Sequence, residues 1–206
     1  MLGFVDGEVA GRPWPAWVAD DARAVSVARL LRRLDDALLP LGVPAGLPPS
    51  PIRADVAARP GPPPTFLGHR DVTPENTVFR DGQASALIDF DLVRPSSRVD
   101  EVTNLLLWWG AWAPPADRED AVRDVDAAVR GRLLVDAYGL DDADRRWVVP
   151  VSISAAERSW HSMRELAETH GGGWARMWAD GVGDRIRRRE AWLREHAAAL
   201  DAALRD

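Results

Sequence analysis

The chain has 206 residues, a formal net charge of −6 and no cysteine. The length suffices for one sizeable core. The acidic balance argues against a general affinity for nucleic acid, and the missing thiols exclude disulfides, thiolate nucleophiles and Cys-ligated metals. The N-terminus has neither a basic region nor an apolar stretch of the secretory kind, and no run approaches the ~20 apolar residues of a membrane span. The expectation is therefore a cytoplasmic protein that partners neither membrane nor nucleic acid.

Residues 1–18 read as an irregular entry punctuated by Gly3, Gly7, Gly11, Pro13 and Pro15, with Trp14 and Trp17 available to pack. Asp20 or Asp21 caps a helix predicted through about Leu39, because Val27, Leu30, Leu31, Leu34 and Leu38 recur at helical spacing. Pro40 stops it. Nine of the sixteen prolines fall in residues 40–64, which predicts an extended connection interrupted by a short helix around Ile52–Ala58. Then the period changes. Thr65–Gly68, Thr77–Phe79 and Ser85–Asp89 read as short strands, and Asp81-Gly82 is a two-residue hairpin signal between the last two.

After Pro95 no strand is expected. Asp100 is placed to cap a helix through about Trp112, and further helices are predicted at about Asp117–Tyr138, Asp142–Trp147, Pro150–His170 and Trp174–Leu204. The last carries a possible kink near Gly181 and Gly183, and Gly171–Gly173 reads as a linker. The fold class expected is α+β, predominantly helical, with a small β-hairpin insert. One domain is expected over residues 1–206: an entry (1–18), a Pro-rich connection (40–64), a loop and hairpin (65–91) and a helical part (98–206).

Chemistry concentrates in residues 66–91. His69, Asp71 and Asn76 stand at fixed offsets in one loop; a hairpin follows, then an apolar strand ending in Asp89, Phe90 and Asp91. Phosphoryl transfer from ATP needs a group that accepts or orients a hydroxyl proton, and Mg²⁺ to offset charge on the phosphates. Mg²⁺ takes oxygen ligands and usually only one or two from the protein. Asp71 is accordingly the candidate base, with Asn76 and Asp89 the candidate metal ligands. A plainer reading makes each of them a turn residue or strand end; the joint pattern favours the site. Asp91 reads equally as a metal contact or a solvated turn residue.

These residues resemble the C-terminal lobe of the aminoglycoside phosphotransferase/choline kinase-like family, relatives of the protein kinases. His69, Asp71 and Asn76 match that family's His-x-Asp-x-x-x-x-Asn loop, and Ile88, Asp89 and Phe90 its Ile-Asp-Phe/Trp strand end. The resemblance implies ATP and Mg²⁺ as cofactors, a small-molecule hydroxyl as acceptor, and an architectural role for His69. It also implies structural support from Asp100, since Val99–Val102 resembles the family's Asp-Leu-Ala segment. Two departures stand out: Arg70 replaces a usual Gly, and Thr73-Pro74-Glu75 replaces His-Pro-Gly.

Residues 2–8 resemble the segment joining the two lobes, so the chain starts where a β-rich lobe with a phosphate-covering loop and a Lys is expected to end. All 26 basic residues are Arg, so no Lys can fill that role. A shortened sequence, a decayed gene or a true single-lobe protein all fit; a shortened form is expected to be inactive by itself.

Two rival readings remain. One is a non-catalytic, pseudokinase-like binding module. The other is a haloacid dehalogenase-like phosphatase, with Asp89 as nucleophile and Asp91 as acid/base, which requires alternating strands and helices downstream. Asp117, Glu119, Asp120, Asp124 and Asp126 form either a charged helix start or carboxylates for a cationic substrate. Arg185 and Arg187–Arg189 read as a solvated face or a phosphate contact. The ten tryptophans are mostly core, with Trp108, Trp109 and Trp112 the alternative lining of an acceptor pocket. The acceptor (aminoglycoside, choline-like alcohol, sugar or homoserine-like compound) and the oligomeric state stay open.

Overall fold

Asp20 accepts the Arg23 amide at 2.9 Å and so starts helix α1, Asp21–Leu38, which passes into a 3₁₀ turn over Leu39–Leu41. The computed structural model describes residues 5–47 and 59–205. The expected helix at Ile52–Ala58, and residues 2–4 of the linker-like segment, lie outside the described residues.

Four short strands follow: β1 (Phe66–Gly68), β2 (Thr77–Arg80), β3 (Gln83–Leu87) and β4 (Arg94–Ser96). They form two antiparallel ribbons, β1 with β4 and β2 with β3. The hairpin joining β2 to β3 turns on Asp81 and Gly82, both at positive φ (51° and 73°), the backbone that a two-residue type I′ turn requires. β4 corrects the expectation of no strand beyond Pro95. Pro95 sits opposite Leu67 in a two-stranded ribbon, where a residue without an N–H can be placed on an open edge. The entry segment adds a bridge to β2, with Glu8 and Phe79 exchanging amide bonds of 2.9 and 2.7 Å. Gly7 is required there: a Cβ would lie 2.4 Å from Val78 and 2.6 Å from the Phe79 carbonyl.

The helices are α2 (Arg98–Trp109), α3 (Ala127–Tyr138), α4 (Asp142–Thr169), α5 (Gly172–Ala179) and α6 (Val182–Arg205). This is the predominantly helical α+β class expected. Several boundaries differ from the reading of the sequence. α2 is capped by Ser97 in a capping box whose third residue is Asp100, so Asp100 lies inside the first turn. α2 also stops at Trp109, three residues early, because Ala111 takes positive φ.

α3 begins only after Asp126, which accepts the Ala128 and Val129 amides. The preceding stretch forms 3₁₀ turns at Pro115–Asp117 and Asp120–Val122, held by Arg118 bonding the carbonyls of Ala113, Arg123 and Val125. α4 runs unbroken through Pro150 where two helices were expected. Burial of Val148, Val149, Val151 and Ser152 around the proline outweighs its lost hydrogen bond. Finally, Gly172 and Gly173 are helical, and the expected kink near Gly181 is a full break between α5 and α6.

The core gathers Val27 and Leu31 of α1, Leu105, Leu106 and Trp109 of α2, Leu134 and Tyr138 of α3, and Leu193 and Leu200 of α6. α4 packs against α2, α5 and α6, and α1 against α3. Among the described residues no helix is long and apolar enough to cross a membrane. β3, which leads to Asp89, is antiparallel to β2, and only β4 and helices come after it. That order lacks the alternating strands and helices on which the phosphatase alternative depends.

Candidate active site

The site lies on the loop between β1 and β2 and on the segment between β3 and β4. β1 approaches α2 so closely at Gly68 that a Cβ would overlap Glu101 Oε1 at 2.0 Å. His69 follows, fully buried. Its Nε2 lies 3.0 Å from the Ile88 carbonyl. A carbonyl only accepts, so Nε2 carries the proton, and Nδ1 is left to accept the Asp71 amide at 3.3 Å. The Phe90 ring closes over the imidazole edge-on at 4.5 Å.

Arg70 bends the chain through positive φ (63°). α2 then fastens the loop backbone at three points. Glu101 Oε2 accepts the Arg70 amide at 3.3 Å, Asn104 Oδ1 accepts the Val72 amide at 2.7 Å, and Trp109 Nε1 donates to the Val72 carbonyl at 2.9 Å. Thr73 completes the turn: its Oγ1 and carbonyl both accept the Asn76 amide, and the carbonyl also accepts the Thr77 hydroxyl.

Asn76 Nδ2 donates to Asp71 Oδ2 at 2.9 Å and to the Asp71 carbonyl at 3.1 Å. With both amide protons used, Asn76 Oδ1 is an acceptor that no described residue engages. The Ile88 amide donates to the Asn76 carbonyl at 3.0 Å, so the strand end is pinned to the loop. The next residue, Asp89, takes positive φ (63°) and is exposed, with no ion pair or hydrogen bond to the described residues. Asp71 itself is half-buried. Burial raises its carboxyl pKa, and the neighbouring Asp89 adds to the rise, while His69 and the Asn76 hydrogen bond oppose it.

The structure thus brings His69, Asp71, Asn76 and Asp89 together. Asp91 is exposed in the turn after Phe90 and bonds to nothing described. Asp100 lies behind the loop, where Arg59 grips both its oxygens at 2.7 and 2.6 Å and Arg70 Nη1 stands 3.5 Å away. Direct support of the loop backbone comes from its neighbour Glu101, together with Asn104 and Trp109. Sequence reading gives Trp109 only as core or pocket lining, and passes over the roles of Glu101 and Asn104. A signal existed: Glu101 and Asn104 are polar residues one turn apart, interleaved with the apolar Val99, Val102, Leu105 and Leu106.

The other candidates resolve as follows. Asp117 is paired with Arg188 at 2.8 and 2.5 Å, and Glu119 with Arg12 at 2.8 Å. Arg189 is buried against the Trp112 carbonyl, and Arg187 stacks over Trp160. Trp109 and Trp112 are core residues, whereas Trp108 is half-buried against Trp14. A cavity of about 530 Å³ between α4 and α6, lined by Arg146, Pro150, Ile153 and Arg194 among others, includes no loop residue.

A metal test rests on the donor set. Among the described residues no group of three or more His, Asp or Glu could hold an ion. Asn76 Oδ1 and the Asp89 carboxylate nevertheless form a pair of uncommitted oxygens on adjacent, pinned segments. That suits a cation such as Mg²⁺, which takes few protein ligands and shares the rest with water and phosphate.

A buried His and an Asn-tethered Asp on one loop, joined to a strand end bearing a second Asp, define a kinase-like phosphotransferase class of site. A family model described as the phosphotransferase enzyme family (APH) matches residues 5–138, which include both ribbons and α1–α3, and the chain belongs to that family. No curated protein and no solved structure matches the chain.

Proposed function

We propose that the protein is the metal- and acceptor-binding lobe of an ATP-dependent phosphotransferase acting on a small-molecule hydroxyl, with the described residues forming one domain. The observation that carries this reading is the tether from Asn76 Nδ2 to Asp71 Oδ2. It orients the carboxylate and simultaneously leaves two acceptors free for separate jobs. Asp71 Oδ1, which no described residue engages, accepts the hydroxyl proton as the oxygen attacks. Asn76 Oδ1 and Asp89 are the residues that would hold Mg²⁺, which when bound with ATP offsets charge on the transferring phosphoryl oxygens. His69 acts as a positioning residue, keeping the Asp71 amide and the Ile88 carbonyl in register. With ATP as donor, the proposed place of action is the cytoplasm.

Calorimetric titration with Mg·ATP, for the parent and for Asp89→Ala, tests the assignment. Metal-dependent binding by the parent and its loss in the variant are expected. Equal binding by both removes Asp89 from the metal site. No binding by a folded parent points to a shortened form or to the alternative of a non-catalytic helical binding module.

A further inference from the structure

Residues 6–14 run alongside β2 and the tip of the Asp71 loop and are bonded to them along the way. The Asp6 carbonyl accepts Arg80 Nε at 2.6 Å, Glu8 exchanges amide bonds with Phe79, and the Ala10 amide donates to the Pro74 carbonyl at 3.4 Å. The last attachment is Glu75, the residue between Pro74 and Asn76. Its Oε1 accepts Trp14 Nε1 at 3.0 Å and pairs with Arg12. Arg12 reaches on to Glu119 at 2.8 Å and lies 5.3 Å over the Trp14 ring. Trp14 in turn meets Trp108 of α2 edge-on at 6.5 Å.

An exposed ion pair contributes little by itself, and the Arg12 side chain is 52% exposed. Glu75 differs from an ordinary surface partner in two respects. Its other oxygen, Oε2, is buried with no donor among the described residues, which costs free energy. Its neutral donor, Trp14, is a half-buried ring held by Arg12 and Trp108. The bonds from Trp14 and Arg12 offset the cost of Oε2 while the loop tip stays in place. That tip carries Asn76, whose Nδ2 has to meet both the carbonyl and Oδ2 of Asp71. Thr73 fixes the start of the turn through the Asn76 amide, and Glu75 anchors its end. The charge of Glu75 also reaches Asp71, adding to the rise that burial causes there.

We propose that Glu75 is a positioning residue: anchored by Trp14 and Arg12, it fixes the end of the turn so that Asn76 Nδ2 meets Asp71 Oδ2. The inference rests on the phosphotransferase reading and adds a residue to its site. Glu75 acts through Asn76 and Asp71, not on metal or acceptor.

The test follows the Asn76 side-chain amide by nitrogen-15 NMR of the intact chain. In the parent its Nδ2 protons are expected to exchange slowly and to shift with the ionisation of Asp71, a shift absent from Asp71→Asn. Glu75→Ala is expected to speed their exchange about tenfold or more and to abolish the shift, while amides of the β2–β3 ladder keep their rates. Glu75→Gln keeps an acceptor for Trp14 and is expected to stay near the parent. Trp14→Phe keeps a ring but removes the donor; it is expected to move part of the way to Glu75→Ala, and it decides the matter if Glu75→Ala does not fold. Parent-like exchange and shift in Glu75→Ala overturn the proposal. So does an equal loss of protection in the ladder, because Glu75 would then support the fold alone. Failure of the parent to bind Mg·ATP removes the phosphotransferase reading and leaves the Glu75 result standing, so the two failures are distinguishable.

Discussion

Asp35 shows what one buried carboxyl does to the molecule. It is fully buried on α1; its Oδ2 accepts the Tyr138 hydroxyl at 2.6 Å, and its Oδ1 has no donor. Burial, reinforced by the charge of Glu101, pushes it from 3.8 up to about 8. Between those values the folded chain holds a proton that the unfolded chain releases, so stability falls as pH rises through this window and levels off above it. Asp35→Asn is expected to flatten that fall by at least ~1 kcal/mol, read as unfolding free energy at pH 5 against pH 8. Asp71 carries a different expectation. Asp71→Asn is expected to lower turnover by roughly 10²–10⁴ with nucleotide affinity retained, and loss of affinity would mean that the base assignment is wrong. Asn104 is the residue that holds the loop of the proposed base from behind. Asn104→Ala leaves the Val72 amide unpaired, and is expected to cost about 1–3 kcal/mol in denaturant melts while lowering kcat more than it changes KM.

At the scale of elements, legibility in the sequence followed how local the cause was. The β2–β3 hairpin was legible because Asp81-Gly82 is itself the cause of the turn, and α1 because its cap and apolar spacing are contiguous. β4 was not, because three residues including a proline form a strand only when β1 supplies the partner. α4 was misread at Pro150, where packing on α2 and α6 outweighs a local breaker. The same division holds in the site. His69, Asp71, Asn76 and Asp89 form a linear pattern, whereas Glu101 and Asn104 act across more than thirty positions of chain. Ser97 binds the start of α2 to this machinery through its capping box and its bond from Arg59. Ser97→Ala is expected to cost about 1–2 kcal/mol by thermal or urea unfolding, and a loss near zero would show that Asp100 alone caps the helix.

For the whole molecule, Arg130 is the internal fastener. It is buried on α3, donates to the carbonyls of Val18, Ala19 and Trp109, and pairs with Asp21, so it joins the starts of α1 and α3 to the end of α2. A planar fork reaches several acceptors at once; an ammonium does not. Arg130→Lys is therefore expected to lose about 3 kcal/mol or more in urea unfolding, and parent-like stability would refute the fastener. The two ribbons carry a further consequence. The chain crosses between them twice, over residues 69–76 and back over 88–93, and no ladder joins them. Asp71 and Asn76 lie on the first crossing and Asp89 on the second. Ile88 stitches the crossings together, its amide bonded to the Asn76 carbonyl and its carbonyl to His69. The Ile88 amide proton is thereby a reporter of the seam: a ligand that spans both crossings must slow its exchange with deuterated solvent, while the amides of the β2–β3 ladder keep their rates.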